Sequence, residues 1–347
     1  MTAPPTDLRQ QLLTRREDLA ELCSLSSDAR LADLLRQVDE ALATAGGGAL
    51  EACAACGEKV GAEHLHSGAA GTLAPASGRA PGRRETAGLP ASICVECLSR
   101  GERLALEQDL ERAATVQRTL LPPRLRDEDG WQIAWLWEPL GAVSGDYIDL
   151  ICSDLPGCAV HLLLGDVVGK GVAASLLQSH LHGLFGALAP SGLAVGELVG
   201  RANRHFFDAT TAASYASLLT LRLDADGSVE LANAGHPRPL LAARRGVHPV
   251  EGSGFPLGLF PEADWHGRSL EVSAGETLLL YTDGWTEAGQ GEEEFGIGRA
   301  AASFRRHAHL PLPDLLAACR DDMETFLDGS PRTDDLSLVA LRRTGTA

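Results

Sequence analysis

The sequence predicts an α+β protein. A four-layer α/β/β/α sandwich occupies 122–347, preceded by a helical hairpin with a four-cysteine knuckle over 1–97 and a linker helix over 98–121. Three observations carry this. Up to Pro122-Pro123 apolar residues recur at three- and four-residue steps, the period of an amphipathic helix. Beyond them, short strand-like runs bounded by turn residues lie on both sides of paired helical runs, which suggests two antiparallel sheets covered by helices. Between the first helices and the linker, four of eight cysteines fall in two Cys-x-x-Cys pairs.

A chain of 347 residues that is 44% hydrophobic and 22% charged has the composition of a soluble globular protein with ample core. Its net charge of −17 argues against general nucleic-acid binding. The excess is uneven, −4 over residues 1–121 and −13 over 122–347. A solubilising surface accounts for most of it, and a carboxylate cluster that needs cations for part. No apolar run has membrane-spanning length and no signal pattern opens the chain, so the expected location is cytoplasmic, with no membrane partner. Cys23, Cys152, Cys158 and Cys319 are scattered, which fits reduced residues better than a disulfide framework.

Leu12 to Leu22 and the stripe Leu31, Leu34, Leu35, Val38 and Leu42 read as two helices, the second capped from Ser26, Ser27 or Asp28 and ended by Gly46-Gly47-Gly48. Cys53-Ala-Ala-Cys56-Gly57 and Cys94-Val-Glu-Cys97 follow. Four thiolates in two close pairs suit one tetrahedral Zn²⁺. Four unrelated thiols and a redox dithiol are the competing readings. His64 and His66 are spare donors, read as surface residues. The words Ala41-Leu42, Cys53-Ala-Ala-Cys-Gly-Glu58-Lys-Val60, His64-Leu65 and Leu89-Pro-Ala-Ser-Ile-Cys94-Val-Glu-Cys97 resemble the DksA/TraR-type zinc-finger family. The departure is residues 67–88, rich in Gly, Ala, Pro and Arg, which read as an inserted flexible loop. With a short and only moderately acidic candidate tip, the module is read as structural or sensory rather than polymerase-binding.

In the linker, Leu106, Leu110, Ala113, Val116 or Gln117, and Leu120 mark a seam, and Pro122-Pro123 ends the helix. Packing on its own domain competes with a dimerising coiled coil. In 122–347, Trp131 to Leu140, Tyr147 to Cys152 and Ala159 to Leu164 read as strands, and Val172 to Leu188 and Val195 to Phe207 as helices. Tyr215 to Leu223 and Val229 to Ala232 flank the turn Asp224-Ala-Asp-Gly227. Leu278 to Thr282 and Leu336 to Leu341 are late strands, with a helix at Asp314 to Phe326 between them.

Four acidic turns carry the chemistry: Ser144-Gly145-Asp146, Gly165-Asp166-Val167, Tyr281-Thr282-Asp283-Gly284 and Asp334-Asp335. Each alone is a common turn. Gathered by a fold, they would repel one another unless divalent cations joined them, and carboxylates are hard oxygen ligands for Mg²⁺ or Mn²⁺. Two such ions can acidify a shared water for in-line attack on a phosphoester.

In this order the motifs resemble the PPM family of metal-dependent protein serine/threonine phosphatases, in its bacterial SpoIIE/RsbU-type branch. Further matching words are Val116-Gln-Arg-Thr-Leu-Leu-Pro122, Asp166-Val-Val-Gly-Lys170-Gly, Asn233-Ala-Gly-His236-Pro, Pro256-Leu-Gly258 and Asp335-Leu-Ser-Leu-Val339. The resemblance implies that Asp146, Asp166, the Val167 carbonyl, Asp283 and Asp334 hold two Mn²⁺ or Mg²⁺ ions, with Asp335 the less favoured of its pair. It implies attack by a metal-bridging hydroxide on phosphoserine or phosphothreonine of a bacterial regulatory protein of the anti-anti-sigma type. It also implies regulation by the N-terminal module through the helical linker, and the coiled-coil reading of that linker adds the expectation of a homodimer. Ser144 stands where Gly is usual and Ile148 where an aromatic is common. Val168 replaces the His of eukaryotic relatives, so no general acid is assigned, and solvent or Lys170 is left for that role. Asn233 and His236 are read as shaping the core. Two other classes stay open: a non-catalytic adaptor of the same fold, and a transcription-associated zinc protein that binds RNA polymerase.

Overall fold

The structure, a computed structural model, describes residues 99–344 apart from 129, 153–159, 211–213, 253 and 291–292, together with the backbone of four short strands between residues 50 and 94. Backbone contacts separate a unit spanning Ala43–Arg112 from one that includes Ala113–Ala347. In the first unit β1 (Leu50–Ala52) pairs antiparallel with β2 (Lys59–Gly61), and β3 (Leu65–Ser67) with β4 (Ser92–Cys94). The first hairpin brackets residues 53–58, and the second sets Leu65 opposite Cys94. The two predicted N-terminal helices, the insertion beyond Ser67, which itself ends β3, and Cys53, Cys56 and Cys97 lie outside the described residues, as does the Cys94 side chain.

Helix α1 (Arg100–Leu120) opens on a capping box: Ser99 N–H donates to Glu102 Oε2 at 2.9 Å, and Glu102 N–H to Ser99 Oγ at 3.3 Å. In its last turns Ala114 and Gln117 are buried while Val116 is 60% exposed, so Gln117 is the inward member of the seam pair that the sequence left undecided.

Two antiparallel sheets follow. One has five strands in the order β13 (Arg268–Glu271), β10 (Ser228–Ala234), β9 (Ala216–Leu223), β8 (Val160–Val167), β7 (Tyr147–Ile151). The other has six: β12 (Gly246–Pro249), β11 (Leu240–Ala243), β14 (Thr277–Tyr281), β17 (Leu336–Arg343), β6 (Trp131–Glu138), β5 (Leu125–Glu128). The strands alternate their apolar side chains because the pleat has a period of two. On β17, Val339 and Leu341 point into the layer between the sheets, while Leu336, Leu338 and Ala340 point outward. On β8, Leu162 and Leu164 face the same inner layer and Leu163 the other side. Ile148, at the position where an aromatic was expected, fills this inner layer at 1% exposure.

The outer faces are covered by helices. α2 (Gly171–Leu188) and α3 (Val195–Ala209) bury Leu181, Phe185, Leu198 and Phe206 against the five-stranded sheet. On the six-stranded sheet, after a single-turn α4 (Asp283–Thr286) and the small hairpin β15 (Gly289–Gln290) and β16 (Glu293–Glu294), lie α5 (Gly296–His307) and α6 (Leu312–Leu327). These bury Phe304, Leu316 and Met323. The layering is the expected α/β/β/α. Among the described residues no helix is long and apolar enough to cross a membrane.

Candidate active site

The four acidic turns meet because each sheet supplies two of them side by side. Asp146 leads into β7 and Asp166 sits near the end of β8, and these strands pair with Tyr147 opposite Gly165. Asp283 follows β14 and Asp334 precedes β17, and these pair with Tyr281 opposite Leu338. Both strand pairs end at the same edge of the sandwich, so positions from 146 to 334 converge.

Polar bonds across the two sheets draw this edge together. Ser337 Oγ and Thr282 Oγ1, both from the six-stranded side, donate to Asp146 Oδ2 at 2.5 and 3.0 Å. Thr282 and Ser337 are themselves locked, Thr282 N–H to the Ser337 carbonyl at 3.0 Å and Ser337 N–H to Thr282 Oγ1 at 3.1 Å. Asp335 reaches back to the other sheet. Its Oδ1 accepts from Leu140 N–H at 2.6 Å, and its Oδ2 from Ser144 Oγ at 2.7 Å and Gly145 N–H at 3.0 Å. Ser144 also accepts from Asp146 N–H at 3.0 Å, so the residue that departs from the expected glycine ties two acidic turns through one hydroxyl. Gln117 of α1 holds the same turn, donating to the Ser144 carbonyl and accepting from its N–H.

Two glycines show how tightly the turns are stacked. A Cβ on Gly284 would stand 1.9 Å from the Asp335 carbonyl oxygen and 3.3 Å from Asp334 Cβ. One on Gly145 would stand 3.0 Å from the Val167 carbonyl oxygen and 3.5 Å from Asp166 Oδ1. Only a missing side chain allows such approach.

The electrostatics follow. Burial, and then repulsion from Asp146, Asp283, Asp334 and Asp335, push the Asp166 carboxyl well above the usual carboxylate range. Asp146, 3% exposed, is also raised well above it, first by burial, with the hydrogen bonds from Ser337 and Thr282 opposing. Asp283 is raised by burial and by Asp334, with the adjacent backbone N–H groups and Lys170 opposing. Lys170, at the start of α2, places Nζ 2.9 Å from Asp334 Oδ2 and donates to the Thr333 carbonyl oxygen. Asp334 Oδ1 accepts from Asp335 N–H at 2.9 Å. Among the described residues no three His, Cys, Asp or Glu side chains stand close enough to enclose an ion as they are. With Asp146 turned to two hydroxyls and Asp334 to an ammonium, the mutually repelling carboxylates are gathered at one edge without forming a cage.

Val168 presents no titratable group. His236 is buried, with Nδ1 2.7 Å from Ser217 Oγ and Nε2 3.1 Å from the Tyr281 carbonyl oxygen, and burial pulls its imidazole down to about 3. Asn233 braces it, accepting from His236 N–H at 2.8 Å and donating to its carbonyl at 2.9 Å. Sequence reasoning missed Thr282, Ser337 and the bridging role of Asp335. The signal was present: each hydroxyl lies within two residues of an acidic turn.

The family model for Stage II sporulation protein E (SpoIIE) matches residues 156–344. The chain belongs to the SpoIIE family. Phosphoserine phosphatase RsbP of Bacillus subtilis is 29% identical over 240 residues, covering 67% of this chain and 57% of RsbP. Phosphoserine phosphatase RsbU of the same organism is 24% identical over 191 residues, covering 54% of this chain and 56% of RsbU. The chain thus spans little more than half the length of these two relatives. The SiaA-PP2C domain of Pseudomonas aeruginosa shares the fold, at a TM-score of 0.59 and 20% identity, covering 70% of this chain and 98% of that domain.

Proposed function

We propose that the chain is a metal-dependent protein serine/threonine phosphatase, with Asp146, Asp166, Asp283, Asp334 and the Val167 carbonyl as oxygen ligands for two Mn²⁺ or Mg²⁺ ions. The observation that carries this is the convergence of two strand pairs that sets these carboxylates within mutual repulsion. The donor set fits: every group is a hard oxygen, and the site holds more negative charge than Lys170 offsets. When bound, two such ions would neutralise that charge, acidify a water and polarise the phosphoryl oxygens. The chain's own residues supply the positioning. Ser337 and Thr282 fix the Asp146 carboxylate. Asp335, with both oxygens already engaged by the Leu140–Gly145 loop, serves as a brace and leaves Asp334 as the ligand. Since Val168 carries no proton, the proton for the departing serine or threonine oxygen is left to solvent or Lys170.

The family resemblance and the phosphoserine phosphatases RsbP and RsbU support a phosphorylated bacterial regulatory protein as substrate, of the anti-anti-sigma type. The test is hydrolysis of an aryl phosphate and of a phosphoserine peptide with and without Mn²⁺, in wild type and Asp166→Asn. A Mn²⁺-dependent rate that the substitution removes is the expected result. A wild type that binds Mn²⁺ but hydrolyses neither compound would point to the adaptor reading instead.

We infer further that Cys53, Cys56, Cys94 and Cys97 hold one structural Zn²⁺. Their donor chemistry supports it, as does the backbone pairing that places Cys94 in a hairpin. Metal analysis of the purified chain should find zinc at about one equivalent, the stoichiometry of a single tetrathiolate site, and Cys53→Ser should lose it. Through α1 this module is read as regulatory and the chain as a homodimer. Removing 1–97 should alter turnover or metal dependence, and unchanged kinetics and oligomeric state would refute that role.

A further inference from the structure

Of the 30 lysine and arginine side chains, only two are lysines, Lys59 and Lys170. A chain that uses arginine almost everywhere it needs a positive charge has a lysine at the position that touches the acidic cluster. The local geometry gives a reason. Asp334 has one oxygen on Asp335 N–H and the other on Lys170 Nζ. Both side chains of the pair are about half exposed, 53% for Lys170 and 43% for Asp334, so the attraction is screened and weak. A guanidinium would grip a carboxylate through two parallel bonds, whereas an ammonium is a point charge on a flexible stem and lets go. Its second acceptor, the Thr333 carbonyl, is a neutral backbone group that keeps Nζ at the mouth of the site when Asp334 turns away.

We propose that Lys170 is a phosphate-binding residue held in reserve by Asp334. Asp334 exchanges the ammonium for a divalent cation, and the freed Nζ then donates to the non-bridging oxygens of the phosphoryl group. The arrangement makes recognition of the phosphate conditional on metal, because only an Asp334 engaged elsewhere leaves Lys170 its charge to offer. The inference rests on the phosphatase reading above and names how that site selects its substrate.

The test uses the full chain as wild type, Lys170→Met and Lys170→Arg. Calorimetric titration of Mn²⁺ into metal-free protein gives the first readout. Lys170→Met, with no competing cation on Asp334, should bind Mn²⁺ about two- to fivefold more tightly, and Lys170→Arg more weakly than wild type. Inorganic phosphate, titrated into the Mn²⁺-loaded proteins and assayed as a competitive inhibitor, gives the second. Lys170→Met should lose about tenfold or more in phosphate affinity, the scale of one charge-assisted hydrogen bond, with KM for a phosphoserine peptide rising in parallel. Weaker Mn²⁺ binding by Lys170→Met would overturn the proposal, since it would mean that the lysine merely holds Asp334 in place. Unchanged phosphate affinity in that variant, or a Lys170→Arg protein equal to wild type in both titrations, would also overturn it. A wild type that neither binds Mn²⁺ nor hydrolyses phosphoserine sinks the phosphatase reading and this inference with it. An active wild type with an indifferent Lys170→Met sinks the lysine's role alone.

Discussion

Gln117 holds the backbone of Ser144 from both sides: its Nε2 donates to the Ser144 carbonyl oxygen at 2.7 Å and its Oε1 accepts from Ser144 N–H at 3.0 Å. Gln117 lies on the linker helix and Ser144 in the turn before Asp146. Both are buried, at 4% and 0% exposure, so neither backbone group has water to fall back on. Gln117→Ala should therefore cost about 1–3 kcal/mol, the penalty for stranding buried polar groups. It should also weaken Mn²⁺ binding, because Ser144 positions Asp146 and Asp335. Thermal melting and Mn²⁺ titration read the two effects. A variant that melts lower but binds Mn²⁺ as wild type would uncouple the linker from the site.

Removing a charge from the cluster should move stability and metal affinity in opposite directions. Asp166 is pressed by burial and by four neighbouring carboxylates. Asp166→Asn relieves that repulsion, so the metal-free variant should melt a few degrees higher, on the order of 1 kcal/mol. The rise in melting temperature that Mn²⁺ confers on wild type through mass action should vanish. A metal-free variant that melts lower than wild type would contradict the repulsion argument.

Gly284→Ala and Gly200→Ala test the close approach. At Gly284 a Cβ would collide with the Asp335 carbonyl, whereas at Gly200, inside α3, nothing lies within 4 Å. The first substitution should cost about 1–3 kcal/mol as an overpacked site and abolish Mn²⁺-dependent hydrolysis. The second should stabilise by up to about 1 kcal/mol by removing unfolded-state entropy from a helix. Equal effects on chemical denaturation would refute the stacking of the two acidic turns.

His236 gives the protein a pH dependence with a definite sign. Its imidazole is held down to about 3 in the fold against an ordinary value of 6.5. Above pH 6.5 neither state takes up a proton there. Below it the unfolded chain does and the folded chain does not, so stability falls as pH falls, by about 1.4 kcal/mol per unit, until about pH 3. His236→Gln keeps polar groups at the site without that titration. Its denaturation free energy between pH 6.5 and 4.5 should fall less steeply than wild type by the equivalent of one proton. Parallel curves would show that the histidine is not buried neutral.

How much of this was legible beforehand varies with the range of the interaction. The run from Trp131 carries its strand period in the residues themselves, the run into Leu164 reads as a buried strand from its apolar content, and the Asp224–Gly227 turn is a local signal, observed as the β9–β10 hairpin. Helix α5 was missed although Ile297, Ala300 and Phe304 have helical spacing. The run was assigned to no element, since it opens on Gly296, a weak helix former, and its apolar positions are few; burial of Ala300 and Phe304 against the sheet shows the inward face. The choice of Gln117 over Val116 as the inward residue could not be made from periodicity, since adjacent positions share a seam until a neighbour appears. The neighbour is Ser144, 27 residues away.

The amino-acid sequence by itself determined the central strands of both sheets, though not the edge strands β5, β12 and β13 or the neighbouring β11. It also determined which acids stand at the strand ends and which family these turns resemble, because side-chain pattern and turn chemistry act over a few residues. The tertiary structure alone decided that Asp335 braces while Asp334 faces Lys170, that Thr282 and Ser337 fix Asp146, and that a linker residue grips the Ser144 turn. Those outcomes depend on strands nearly 200 positions apart ending at one edge of two packed sheets. Nothing local encodes that distance, and only burial of the shared core enforces it.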